Sequence, residues 1–98
     1  MTHPVPAEIL RQLGGNMFRI MTGAKDFTGG NDRLTFRIGR NAKGVNMVRI
    51  ILEPSDLYTM EFMAVRNCAF KIKARETGIY NDQLTATFKA NTGLDTRL

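Results

Sequence analysis

Basic side chains crowd the segment from Phe36 to Ile50, which reads FRIGRNAKGVNMVRI. The segment has no acid and carries four cations around two glycines: Arg37, Arg40, Lys43, Arg49, Gly39 and Gly44. Such cations bind phosphates and carboxylates, and the amides of a glycine-rich loop can surround an anion. The segment lacks the Gly-Lys-Ser/Thr ending of a P-loop, and no helix is predicted after it. Two interpretations stay open, an anion site or a hairpin loop with charged tips.

More cations lie in stretches where apolar and polar residues alternate, a pattern that places successive side chains on opposite faces of a strand. If the apolar set faces the core, the opposite face has Glu61 as its one acid and carries Arg19, Arg37, Arg49, Lys71 and Lys73. Apolar residues lie among them: Met17, Met21, Met47, Ile51, Met63 and Val65. With Arg40 and Lys43 of the loop, these cations are the candidate partner-binding residues. The alternative is that they keep exposed strands soluble and block edge pairing.

Most aromatic residues of the alternating stretches are predicted to face inward: Phe36, Tyr58, Phe62 and Phe70. Surfaces for single-stranded nucleic acids usually stack bases on exposed aromatic rings. The pattern therefore favours a surface that follows phosphates or binds a protein over one that stacks bases.

Residues for catalysis are few. His3 is the only histidine and lies near the N-terminus, and Cys68 is the only cysteine, with no histidine placed to activate it. Cys68 is predicted to be buried or half-buried filler. The sequence therefore predicts no enzyme, no metal site and no cofactor.

The chain has 98 residues, which is the size of one domain, here 1–98. Lys and Arg number 14 against 9 for Asp and Glu, and the net charge of +5 favours an anionic partner. A single cysteine rules out an intrachain disulfide. We find no apolar run long enough for a membrane span and no signal-peptide pattern, so we expect a cytoplasmic protein with no membrane partner.

Periodicity predicts the elements that position these residues. A first helix is predicted to end near Gly14 and to bury Ile9, Leu10 and Leu13. A second helix is predicted between 78 and 94, with an apolar stripe of Tyr80, Leu84 and Phe88. Between them, period-two patterns predict strands at 16–22, 33–38, 45–52, 57–65 and 69–75, with a turn at 23–32.

The predicted fold is therefore α+β: one antiparallel sheet of about five strands in a meander, with the N-terminal and C-terminal helices packed on one face. The face expected to be buried comprises Phe18, Ile20, Leu34, Phe36, Ile38, Val48, Ile50, Leu52, Tyr58, Met60, Phe62, Phe70 and Ile72.

Three stretches carry a resemblance: QLGGNMFRIMTGAKDF, FRIGRNAKGVNMVRIILEPSDLYTMEF and ETGIYNDQLTATFKANTGLDTRL. From about Leu13 onward, the chain resembles a family of small uncharacterised proteins encoded by bacteriophages, prophages and other mobile elements. The resemblance implies a phage accessory protein that works inside a bacterial cell, where such proteins act on DNA metabolism or inhibit a host factor.

Two functions stay open at this point. The first is non-catalytic binding of DNA or RNA through the basic face and loop. The second is a protein-binding module, such as an inhibitor or modulator of a host complex, with a homodimer through the same face as a variant.

Overall fold

The computed structural model describes residues 5–67 and 69–96. Its α-helices are α1 (Val5–Leu13), α2 (Gly15–Thr22) and α3 (Leu84–Thr92), and a short 3₁₀ helix (Asn81–Gln83) precedes α3. Its strands are β1 (Lys25–Gly29), β2 (Arg33–Arg37), β3 (Met47–Leu52), β4 (Tyr58–Arg66) and β5 (Ala69–Ile79). The strands form one antiparallel sheet whose spatial order is the chain order. The predicted α+β class and five-stranded meander are confirmed.

One core joins the helices to one face of the sheet. Its fully buried members from β2, β3 and β4 are Phe36, Val48, Ile50, Met60 and Phe62, and those from the helices are Ile9, Leu13, Phe18, Leu84 and Phe88. The Phe18 ring meets Phe36 edge-on at 5.5 Å and Phe88 at 5.1 Å between ring centroids. These three rings connect α2, β2 and α3. That both terminal helices pack as whole elements on this one face stays a prediction.

The first predicted strand, 16–22, is wrong, because this segment is the helix α2. Phe18 and Thr22 are one helical turn apart and both are buried, whereas Ile20 is 68% exposed. The Thr22 hydroxyl donates to the Phe18 carbonyl oxygen over 2.7 Å. Gly23 ends the helix in the left-handed region at φ 69°, and its N–H donates to the Arg19 carbonyl oxygen.

The first strand instead lies within the segment predicted as a turn. β1 is a short edge strand whose pairing with β2 shifts between Lys25 and Thr28. Asp26, inside the shift, adopts a positive φ of 56°. Phe27 packs its ring against Phe36 at 5.4 Å, so contact with the core holds this irregular strand in place.

The strands β2, β3 and β4 match their predicted spans to within two residues, and β5 continues four residues beyond its predicted end. The pairing of β5 with β4 is irregular at two points. Phe62 lies opposite Ala74 but Met63 lies opposite Ile72, so Lys73 is the extra residue of a β-bulge. A second shift lies between Tyr58 and Met60. Each bulge changes which residues of β5 share a face with β4.

The start of the last helix also differs from the prediction. Leu84 and Phe88 are fully buried as expected, but Tyr80 precedes the 3₁₀ helix and is 59% exposed. Gly93 ends α3 at φ 77°, as predicted from its position. None of the helices in the described ranges has the length and apolar character that crossing a membrane requires.

Candidate functional site

The candidate site is the sheet face opposite the core, which we call the outer face. Directly opposed residues on neighbouring strands share a face, so the register defines its members. From β1 to β5 they are Lys25, Thr28, Arg33, Thr35, Arg37, Met47, Arg49, Ile51, Thr59, Glu61, Met63, Val65, Phe70, Ile72 and Arg75.

A charged row crosses the outer face: Thr28, Thr35, Arg49, Glu61 and Arg75, each opposite the next. Glu61 Oε1 accepts from Arg49 Nη1 over 3.2 Å, and its Oε2 lies 3.6 Å from Arg75 Nε. The Glu61 side chain is nearly buried between the two arginines. Because strands are about 4.8 Å apart, the backbones of Arg49 and Arg75 are roughly 10 Å apart. One carboxylate between these strands thus orients the guanidinium groups of both arginines.

A second row, the methionine row, lies beside the charged row: Lys25, Arg37, Met47, Met63 and Ile72. Met63 is buried and Met47 is half-buried, while the cations at one end are exposed. Ile72, at the other end, is 46% exposed, and Phe70, two residues further along β5, is 66% exposed. The outer face therefore joins exposed cations to an exposed apolar edge.

Arg33, also on the outer face, has a carboxylate partner of its own. Its Nε donates to Asp32 Oδ1 over 3.0 Å, and this hydrogen bond holds the pKa of the Asp32 carboxyl below its ordinary value. Asp32 offsets the charge of Arg33 one for one, whereas Glu61 is shared by Arg49 and Arg75 and leaves a net positive charge. We therefore do not count Arg33 among the cations that a ligand would meet.

The prediction that Phe70 and Ile72 face the core is wrong, so one of the aromatic residues expected to face inward is exposed on the outer face. The bulge at Lys73 shifts the alternation of β5. Phe70 therefore lies opposite Val65, and Ile72 lies opposite Met63, on the outer face. Arg75 precedes the shift in the pairing and lies opposite Glu61, on the face where alternation places it, although it was not among the candidate residues.

Of the seven candidate residues, only Arg37 and Arg49 lie on the outer face. Lys71 lies opposite Ala64, on the other face, because of the bulge. Arg19 belongs to α2 rather than to a strand, and its guanidinium carbon lies 5.6 Å from the centroid of the Phe27 ring.

Two of the remaining candidates, Arg40 and Lys43, belong to the loop between β2 and β3, and the third, Lys73 of β5, contacts this loop. Arg40 and Lys43 are exposed, and Lys73 Nζ donates to the Lys43 carbonyl oxygen over 3.0 Å. Lys43 and Lys73 also line a small cavity of about 210 Å³ with Ala90 and Asn91 of α3. The seven cations that the sequence pattern grouped together are therefore separated in the fold: two lie on the outer face, three lie in or beside this loop, and Arg19 and Lys71 lie elsewhere.

Backbone contacts within the protein use much of the loop's capacity to hold an anion. The Gly39 N–H donates to the Thr22 carbonyl oxygen over 2.8 Å, and the Gly44 N–H donates to that of Asn41. The Val45 N–H donates to the Asn41 side-chain oxygen. A Cβ atom on Gly39 would lie 3.2 Å from the Thr22 oxygen, so glycine permits this close approach. These three amides are unavailable to a ligand, which favours the hairpin interpretation of the loop.

Asn46 fixes the part of β4 that lies behind Phe70. Its side-chain nitrogen donates to the Val65 carbonyl oxygen over 2.9 Å, and its side-chain oxygen accepts from the Val65 N–H over 2.8 Å. The Asn46 N–H also donates to the Met63 carbonyl oxygen. Asn46, which directly precedes β3, therefore extends the pairing of β3 with β4 and holds Val65 in register with Phe70.

We expect Asn46→Ala to lower the free energy of unfolding by about 1–3 kcal/mol, since two hydrogen bonds to a half-buried backbone are lost at about 0.5–1.5 kcal/mol each. Urea unfolding of both proteins measures the change. Asn16→Ala, at an exposed position of α2, is the control and should change stability by no more than about 0.5 kcal/mol. Equal stability of Asn46→Ala and the wild type would show that the Asn46 contacts do not hold β4.

Residues suited to catalysis or metal binding do not gather in the described part of the chain. Within 5–67 and 69–96, no three His, Cys, Asp or Glu residues are close enough to hold a metal ion. His3 and Cys68, together with the prediction that Cys68 is buried, lie outside the described residues.

Comparison with known proteins adds no relative to this description. The chain matches no protein-family model, and neither a curated protein nor a solved structure matches it. The function must therefore be inferred from the outer face itself.

Proposed function

We propose that the protein is a non-catalytic accessory protein that binds nucleic acid through its outer face. The observation that carries the proposal is the set of three arginines, Arg37, Arg49 and Arg75, on one face beside a single carboxylate, Glu61. A guanidinium group has five N–H donors in a planar fork that matches phosphate oxygens. Lys25, exposed and opposite Arg37, extends the positive charge to the edge of the sheet.

Glu61 supports this function by orienting two of the arginines before a ligand arrives. Its carboxylate meets one nitrogen of Arg49 and one of Arg75, so the other nitrogens of each guanidinium can donate to phosphate oxygens. An arginine already held in place loses less side-chain entropy when it binds a ligand. The proposal therefore gives Glu61 a positioning role.

The cellular setting is part of the proposal and depends on the resemblance described above. A protein similar to phage and prophage accessory proteins would act in the cytoplasm of the bacterial host. A small basic protein there meets DNA and RNA as the most abundant polyanions, and its +5 net charge favours association with them.

We expect the wild-type protein to bind labelled oligonucleotides with an affinity that falls steeply with salt. Each neutralised phosphate releases counterion, with a log–log slope of about −0.7 per contact for single strands. Three arginine contacts would then give a slope of about −2. Fluorescence anisotropy between about 50 and 200 mM salt measures the slope. No binding at the lowest salt concentration, or an affinity that does not change with salt concentration, would contradict the proposal.

A protein-binding module is the second candidate, with a homodimer through the outer face as its simplest form. The exposed apolar edge of Phe70 and Ile72 favours it, because contiguous exposed apolar side chains often mark protein contacts. Sedimentation equilibrium separates the two candidates: a dimer of the wild type that Ile72→Arg converts to a monomer would support the protein-binding module.

A further inference from the structure

Phe70 differs from the other phenylalanines of the protein. Phe18, Phe36, Phe62 and Phe88 are fully buried, and Phe27 is half-buried against the core, whereas Phe70 is 66% exposed. Its neighbours on the outer face are Val65, directly across the strand pair, and Ile72, two residues along β5 and 46% exposed. The ring thus lies on the outer face with its apolar surface open to a partner.

The strand behind Phe70 is held in place, although the ring lies close to the β4–β5 connection. Asn46 fixes both backbone groups of Val65, and Val65 lies opposite Phe70. A platform that is ordered before binding costs less entropy when a ligand arrives. Phe70 is therefore placed as a preformed contact surface.

Charge complementarity on the same face selects the partner. Lys25 and Arg37 form one end of the methionine row, and Ile72 and Phe70 lie toward the other end. Arg49 and Arg75 occupy the adjacent charged row. A partner that satisfies both regions must present flat apolar groups and negative charges at short, regular intervals. A single nucleic-acid strand does so, because its bases stack on aromatic rings while its phosphates meet arginines. In a duplex the base faces are covered by neighbouring base pairs.

The side chains beside the ring favour DNA over RNA. Proteins recognise RNA in part through hydrogen bonds to the 2′-hydroxyl group. Val65 and Ile72, which flank Phe70 on the outer face, have no polar side-chain atom to make such a bond. Beside the Phe70 ring, these two side chains therefore gain nothing from the extra hydroxyl.

We infer that Phe70 is a base-stacking platform for single-stranded DNA, with Arg37, Arg49 and Arg75 binding its phosphates. The inference rests on the proposed function and makes it more specific. Because Phe70 is uncharged, its contribution to the binding free energy can be measured separately from the electrostatic attraction of the arginines.

The test uses the absence of tryptophan from the sequence. In Phe70→Trp the indole is the only tryptophan, so its fluorescence reports on that position alone. Titration with a ten-nucleotide oligothymidylate should quench this fluorescence as a base stacks on the ring. Tyr80→Trp, at another exposed aromatic position outside the outer face, is the matched control and should show little quenching.

Affinity gives the second readout. Phe70→Ala should weaken binding of the same oligonucleotide by about 5- to 140-fold, the range that base stacking contributes. Phe70→Tyr keeps the ring and should retain affinity, whereas Phe70→Leu, which keeps apolar bulk without an aromatic face, should not. Tyr80→Ala should bind as the wild type does. The salt slope should be the same in all four variants, because none changes a charge.

The outcomes separate this inference from the proposed function. Wild-type binding that Phe70→Ala leaves unchanged, without quenching in Phe70→Trp, overturns the stacking role and leaves binding by the arginines standing. Tighter binding of an oligouridylate or of a duplex of equal length at the same salt overturns the assignment to single-stranded DNA. Failure of the wild type to bind any oligonucleotide overturns both.

Discussion

Phe88→Ala should lower the free energy of unfolding by about 3–5 kcal/mol, a large share of the stability of a domain of this size. Phe88 is fully buried and meets the Phe18 ring edge-on at 5.1 Å between centroids. Phe18 in turn contacts Phe36 of β2, so the three rings connect α2, the sheet and α3. Truncation of Phe88 removes the ring through which α3 reaches this cluster and leaves a cavity.

Chemical denaturation monitored by circular dichroism measures this loss. Phe70→Ala is the matched control, because it removes the same side chain from an exposed position and should change stability by about 0.5 kcal/mol or less. A loss below about 1 kcal/mol for Phe88→Ala would show that α3 is not docked through this ring. A large loss for Phe70→Ala would show that Phe70 is part of a packed core, and it would weaken the binding role given to it.

The central strands could be predicted from sequence because their pattern is unambiguous. Apolar residues occupy every second position through most of β2, β3 and β4, charged residues lie between them at Arg37, Arg49 and Glu61, and all three strands are paired on both sides. Regular pairing preserves the alternation, so Arg37 and Arg49 were correctly placed on the face opposite Phe36 and Ile50. Alternation in the sequence predicts the face of a side chain correctly where the hydrogen-bonded pairing of the strands has no bulge.

The segment 16–22 shows where periodicity is ambiguous. Its seven residues are too few to distinguish alternation from a short helix with Phe18 and Thr22 on its buried side. Gly23 is the residue that indicates a helix here, since a glycine directly after a segment favours the left-handed conformation in which helices often end. The consequence for the site was the misplacement of Arg19.

The bulge at Lys73 is the feature that local sequence could not reveal. The sequence of β5 alternates without interruption, and only its pairing with β4 shows that one residue is extra. The bulge places Phe70 and Ile72 on the outer face, together with Arg75, and Lys71 on the other face. Alternation fixes the relative faces of a strand only as far as a bulge, and only the pairing with the neighbouring strand locates the bulge. Glu61 offered a partial signal, since a lone acid among the apolar residues of a predicted strand requires cationic partners if it is buried.

The second large effect concerns charge on the outer face. The double variant Lys25→Glu/Arg37→Glu should lose binding of single-stranded DNA by about tenfold or more at about 0.1 M salt, because two cations that would meet phosphates become anions. Both side chains are exposed and lie opposite one another. Arg49 is unsuitable for such a reversal, because a new carboxylate would lie opposite Glu61 and destabilise the sheet.

The control is a second double variant, Arg66→Glu/Lys71→Glu. Arg66 lies opposite Ala69 and Lys71 opposite Ala64, both on the face away from the charged row. Each substitution of a cation by Glu lowers the net charge by two, so each double variant has a net charge of +1 where the wild type has +5. Any difference in binding between them therefore reports on the position of the charges and not on their number.

The most direct measurement is the affinity of the wild type and these two double variants for one labelled oligothymidylate at the same salt concentration. Circular dichroism of each variant establishes that it is folded. We predict that Arg66→Glu/Lys71→Glu retains most of the wild-type affinity and that Lys25→Glu/Arg37→Glu loses it. Equal loss in both variants would mean that net charge alone attracts the DNA, and retained affinity in Lys25→Glu/Arg37→Glu would contradict the assignment of the outer face as the binding surface.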